Sequence, residues 1–189
     1  MNAPDYIEPI VGWRFWHVVE AQGGLRLRSP LYRTLWVPRQ ELVAACRRGA
    51  ESSLSSYWPA GHEHFPPSAQ CRCGICASRT AAETAAYSSR CFKQGAGVFH
   101  RVIGRVSLWG TVVECERGWR ASHAYPAQIY VPTPKRCLLS FGTGTRRPSL
   151  PAEEIAWGLA DYGVPVEVVD CTTVREVAES FDLATGTAS

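Results

Sequence analysis

The sequence predicts an α+β fold: a β-barrel-like or strongly curved, mostly antiparallel sheet, a cysteine- and histidine-rich loop, and a C-terminal α/β segment. Three observations predict it. Runs rich in β-branched and aromatic residues occupy positions 9–19 and most of 98–131. Two histidines and three cysteines crowd into residues 62–76. A helix–strand–helix pattern closes the chain. The expected organisation is a β-rich region over residues 1–131, with the loop and helix–strand–helix of residues 132–189 packed on the same domain.

Composition sets bounds on function. Of the 189 residues 46% are hydrophobic, enough for a real core, and seven are tryptophans. A buried tryptophan needs a partner for its N–H, so some of the seven are expected to line a cavity. A net charge of +3 permits an anionic partner but is low for a dedicated duplex-DNA binder. Lys93 and Lys135 are the only lysines among 20 basic residues, and arginine suits phosphate or carboxylate wherever several converge. The N-terminus lacks the pattern of a signal peptide, and no apolar run is long enough to span a membrane. The expectation is therefore a cytoplasmic protein with no membrane partner. Its eight cysteines then point to metal binding or reduced thiols rather than disulfides.

The elements follow in order. Residues 9–19 form a strand, with Ile10, Gly12, Arg14, Trp16 and Val18 on one face and Val11, Trp13, Phe15, His17 and Val19 on the other. Neither face is wholly polar, so both should be covered. Gly23 and Gly24 turn the chain into a return strand at 25–27. A third strand is expected at 31–37. Residues 41–46 read as a short helix or strand, with composition favouring helix. Residues 47–69 form a long irregular loop, uncommon unless functional or tied down. An alanine-rich helix spans 77–89, with Ser78 or Thr80 as cap. Strands follow at 98–103, 105–114, 118–124 and 128–131, with a hairpin turn at Glu116–Arg117–Gly118. Residues 132–151 form a loop interrupted by a short strand at 137–141. A helix capped by Ser149 buries Ile155, Leu159 and Tyr162 and ends at Gly163. A strand at 164–170 and a helix at 172–180, capped by Thr172 or Thr173, precede a frayed tail from Asp182.

The cysteine-rich loop reads as a zinc site. Zinc favours thiolate and imidazole in a tetrahedron. Cys71 and Cys73 flank a single residue, Gly74 allows a tight turn, and His64 approaches over a proline-stiffened segment. The fourth ligand lies among Cys46, Cys76 and His62. Four such ligands with no vacancy make a structural site that stabilises a loop too polar to build a core. His62–Glu63–His64 lacks the helical spacing of a zinc protease. The cysteines also follow too soon for a zinc deaminase.

A second constellation is 104–114 with 118–126. Trp109, Trp119, Arg120, His123 and Tyr125, with Trp13 or Trp16, are expected to line a pocket suited to a nucleobase or cationic group. The plainer alternative places the tryptophans in the core and pairs Arg120 with Glu114 or Glu116.

These stretches carry a resemblance. Pro-Ile-Val-Gly-Trp-Arg near the start, His64-x-x-Pro-x-x-x-Cys71-x-Cys73-Gly-Ile, Gly-Arg-Val-x-Leu-Trp-Gly-x-Val-Val-Glu, Gly-Trp-Arg-Ala and Ala-Tyr-Pro resemble a group of uncharacterised actinobacterial proteins. The similarity covers most of residues 9–131 and returns at 162–167. It implies no catalytic residues. In that group the position of Cys76 is usually aromatic, so the resemblance favours Cys46, His64, Cys71 and Cys73 as the zinc ligands. Gly-Arg-Val-x-Leu-Trp-Gly is also similar to the central strands of PUA- and ASCH-like β-barrels, which implies binding of RNA or modified bases.

The function expected is a zinc-stabilised, non-enzymatic recognition module. It would bind single-stranded nucleic acid or a modified base, with Arg105, Arg120 and Arg146–Arg147 contacting phosphate. The alternatives are a hydrolase or transferase using His123, Tyr125 or a cysteine, and an adaptor for a protein partner.

Overall fold

The computed structural model describes residues 8–46, 64–91, 97–133, 150–171 and 173–186. The expected strand at 137–141, the Ser149 and Thr172 caps, His62 and Arg146–Arg147 lie outside them. The described residues form one mixed eight-stranded sheet with three α-helices. The strands are β1 (Ile10–Ala21), β2 (Gly24–Arg28), β3 (Leu35–Trp36), β4 (Leu42–Val43), β5 (Ile75–Ser78), β6 (Val98–Cys115), β7 (Gly118–Pro132) and β8 (Val166–Val169). The helices are α1 (Ala81–Cys91), α2 (Ala152–Leu159) and α3 (Val174–Gly186).

The spine is β1–β6–β7, antiparallel throughout. The free edge of β7 is shared by three short strands in succession. β5 pairs with residues 118–121, β4 with 123–124, and β8 runs parallel to 129–132. β5 also touches β1 through the single pair Trp13↔Ser78. The sheet thus curls until its ends meet at one bridge, and a regular barrel does not form. Gly118 makes the approach of β5 possible: a Cβ there would stand 1.9 Å from the Ala77 carbonyl oxygen.

Several expected boundaries shift, each for a local reason. The expected break at Gly104 is absent, and Tyr125–Pro126 does not end β7. Between Arg105↔Gln128 and Val106↔Pro126 the register gains one residue, Ala127, and this bulge absorbs the proline within a continuous strand. The alanine-rich stretch starts as a strand, because 75–78 pair with β7, and turns helical only at Ala81. There Thr80 and Glu83 form a reciprocal capping box: Glu83 N donates to Thr80 Oγ1 (3.2 Å) and Thr80 N to Glu83 Oε2 (3.3 Å). Residues 42–43 are strand rather than helix. Only Leu35–Trp36 of the third expected strand pairs. The last helix continues past Asp182 to Gly186, with Thr173 Oγ1 accepting from Glu176 N.

β1 has two buried faces, as its alternation requires. Trp16 and Val18 enter a core with Leu27, Trp36, Ile155 and Leu159 of α2, and Tyr162 of the short 3-10 turn that follows it. Trp13 and Phe15 pack on the other side with Tyr130 and small residues of α1 and α3. Tyr162 stitches the C-terminal segment to the sheet, accepting from Leu27 N (2.9 Å) and donating to the Trp36 carbonyl (2.5 Å). Gly163, in the left-handed region, ends the 3-10 turn that carries Tyr162. Among the described residues no helix is long and apolar enough to cross a membrane.

His17 is buried in this frame. Burial first, then the positive charges of Arg101 and Arg28, lower its pKa to about 4. The unfolded chain takes up this proton near pH 6.5 while the folded one resists it to about pH 4. Stability is therefore full above pH 6.5 and falls between the two values, by about 3 kcal/mol for this group. Urea midpoints of the parent and of His17→Gln, measured from pH 7 to 4, should diverge: the parent loses stability more steeply. Parallel curves would contradict this.

Candidate metal centre

Cys46, His64, Cys71 and Cys73 meet at one point, their ligand atoms all within 4.8 Å of one another. They arrive from three places. Cys46 follows β4, whose continuation is fixed by Ala44 N donating to the Ser122 carbonyl at 2.7 Å. His64 enters across the prolines. Cys71 and Cys73 lie on a turn in which Cys71 N donates to the Ser68 carbonyl (3.1 Å) and Gln70 N to Ser68 Oγ (3.3 Å). Gly74 then takes a φ of +113°, and a Cβ there would press on Pro67 at 2.9 Å and Arg120 at 3.1 Å.

The spacing suits a small tetrahedral cation. Sulfurs each ~2.3 Å from a tetrahedral zinc stand ~3.8 Å apart. Cys46 Sγ and Cys71 Sγ are 3.8 Å apart, and His64 Nε2 lies 3.1 Å from Cys73 Sγ. Burial is the main influence on the Cys73 thiol and pushes its pKa up. The Ser68 backbone opposes this, and the neighbouring sulfurs of Cys71 and Cys46 raise it further. A bound cation reverses that balance by stabilising thiolates. Three cysteines and one histidine can therefore hold a metal ion, and the donor set fits zinc. Cys76 points elsewhere: its thiol is exposed and directed at the Gly74 carbonyl (3.8 Å).

Arg120 holds this loop onto the sheet. From β7 its Nη1 donates to the carbonyls of Cys71, of Cys73 (3.0 Å) and of Ser68 (3.3 Å), while Nε reaches Cys115 Sγ at 3.4 Å. Its expected pairing with Glu114 is taken instead by Arg79, 2.5 Å away. The guanidinium of Arg79 also covers the Trp119 ring at 4.7 Å.

The aromatic residues do not converge on one pocket. Trp16 is fully buried in the first core, edge-on to Trp36. Trp13 is 7% exposed in the second, against Tyr130, Phe181 and Arg105. Trp109 stacks on His123 at 6.1 Å, beside the Ser122 Oγ–His123 Nδ1 contact of 2.8 Å. The Tyr125 hydroxyl is engaged internally, donating to the Tyr162 carbonyl (2.8 Å) and accepting from Arg39 N (2.6 Å). Trp13, Trp119 and Arg120 do share a groove of about 930 Å³ that runs beside the metal cluster.

That groove contains residues the sequence reading passed over. Leu31, Tyr32, Val43 and Tyr87 line it and are 44–57% exposed. Arg14 lines it too, a charge set in an apolar strand, and that oddity was the available signal. No protein-family model, curated protein or solved structure matches the chain.

Replacing Cys46, His64, Cys71 or Cys73 singly should abolish tight zinc retention, whereas Cys76→Ser should leave one zinc per chain. Arg120→Ala, which only loosens the loop, should weaken zinc binding by roughly 10- to 100-fold. Metal content and chelator competition check this. Loss of zinc in Cys76→Ser would contradict the ligand set.

Proposed function

We propose that the protein is a recognition module whose zinc centre is structural and whose binding surface is the adjoining groove. The supporting observation is where exposed apolar surface gathers. Among the described residues seven large hydrophobic side chains are exposed, and four of them, Leu31, Tyr32, Val43 and Tyr87, line this one groove. Exposed apolar side chains concentrated in a concavity of this size mark a ligand site. Its arginines fit the ligand to be anionic. Arg14, Arg72, Arg117 and Arg120 line it, opposed by Glu83, which is engaged in capping α1.

Aromatic rings beside arginines suit a nucleobase carrying phosphate, so single-stranded nucleic acid is the ligand class favoured. A donor set of three thiolates and one imidazole fills a tetrahedral zinc and leaves no position for a reacting water. That supports a scaffold role for the metal rather than hydrolysis. Arg120 belongs to the scaffold, and recognition passes to the exposed groove residues.

Fluorescence anisotropy with short single-stranded RNA and DNA tests the reading. The Tyr32→Ala/Tyr87→Ala variant, with its zinc retained, should bind at least tenfold more weakly, since each stacked base contributes ~1–3 kcal/mol. Equal binding by parent and variant, or none by the parent, would overturn it.

A further inference from the structure

Arg14 is the most unusual charge in the groove. It sits in the middle of β1, between Trp13 and Phe15, and its guanidinium lies over the ring of Trp36 at 5.3 Å. Trp36 itself is buried. Nη1 donates to the Cys76 carbonyl and Nη2 to Ser29 Oγ at 3.1 Å. Ser29 Oγ also accepts from Trp36 Nε1 at 2.9 Å, which holds it in place. These bonds are all to neutral groups. The ion pairs among the described residues are Arg26–Asp161, Arg79–Glu114 and Arg175–Glu179, and Arg14 is in none. Arg14 is half-buried, with its Nε fully buried, and a partly desolvated positive charge ordinarily takes a counter-ion.

The donors left over face a specific geometry. A guanidinium carries five N–H hydrogens. Two are engaged as described, and Nε is buried without a partner among the described residues. One hydrogen remains on each Nη for an anion entering from the groove that Arg14 lines. Two N–H donors on one guanidinium can serve two oxygens of one anion. Arg72 and Arg117, also in the lining, are exposed and add positive charge at the margin.

We propose that Arg14 is the anchor for a terminal phosphate monoester, so that the groove takes the phosphorylated end of a strand or a mononucleotide rather than the middle of a strand. This rests on the reading of the groove as a nucleotide-binding surface. A phosphodiester inside a strand carries a single charge and must keep both ester oxygens on a continuing chain. A terminal phosphate offers three free oxygens and a charge near −2, and only one of its oxygens is tethered. An arginine set among buried side chains favours the group that can enter it end-on with the larger charge. Tyr32 and Tyr87, both half-exposed in the same lining, present ring surface on the side from which the attached base would enter. Burial lowers the pKa of Arg14, and Cys76 and Tyr87 oppose the shift.

The test compares one short single-stranded oligonucleotide with a 5′-phosphate, with a 3′-phosphate and with hydroxyl at both ends, against the zinc-loaded protein. The expected result is at least tenfold tighter binding of one phosphorylated form over the hydroxyl form. The preference should vanish in Arg14→Gln and return in part in Arg14→Lys, and the matching nucleoside monophosphate should compete. Equal binding of all three by the parent, with Tyr32→Ala/Tyr87→Ala still weakening them, would overturn the phosphate anchor and leave the groove reading standing. Failure of the parent to bind any of them would overturn both. The comparison within the parent needs no variant, so a misfolded Arg14→Gln protein does not blunt it.

Discussion

One side chain fixes where the metal loop meets the sheet. Arg120 projects from β7 and gathers the carbonyls of Ser68, Cys71 and Cys73, so three backbone acceptors in an irregular loop find a charged donor. The cluster of Cys46, His64, Cys71 and Cys73 then joins the ends of two weak elements. β4 forms only two residue pairs with β7 and β5 four, too few to hold register alone. A cation bound by residues flanking both strands converts them into one fixed edge. Residues of that edge also line the groove, so a cation bound there would order the groove as well as the loop.

The other constraint is the double burial of β1. Trp16 and Trp13 face opposite layers, so the strand is gripped between α2 and the α1–α3 pair. Arg14 lies between them and bonds to the carbonyl of Cys76 on β5. The charge is therefore held by the same short strand that the metal loop secures. Order in the loop and geometry at Arg14 are physically connected through β5.

What was legible in the sequence follows from periodicity and local chemistry. The alternation of β1 already separated Trp13 from Trp16, and Thr80 stood among the expected caps, although the helix was expected from 77 and begins at Ala81. The Glu116–Arg117 turn and Gly163 stop likewise reflect local backbone needs. The metal cluster was legible because donor chemistry restricts its members, although setting Cys76 apart from Cys46 depended on the pairing of Cys76 within β5. The misses are tertiary. Residues 75–78 have helical neighbours but are captured by β7, and the Ala127 bulge hides the break that Pro126 advertises. Arg120 gave no sign of its role because its partners are backbone carbonyls, which have no residue type to read. Trp13, Trp119 and Arg120 share the groove, while strand alternation buries Trp16 and the Tyr125 hydroxyl is bonded to the Tyr162 carbonyl.

Cys46, His64, Cys71 and Cys73 together form a donor set for a closed three-sulfur, one-nitrogen zinc centre, which we propose organises this fold. X-ray absorption at the zinc edge on protein purified without added metal or chelator tests it most directly. The expected result is one zinc per chain with three sulfur neighbours at ~2.3 Å and one imidazole nitrogen at ~2.0 Å. Protein that is folded without zinc, or a zinc shell containing an oxygen ligand and fewer sulfurs, would contradict it.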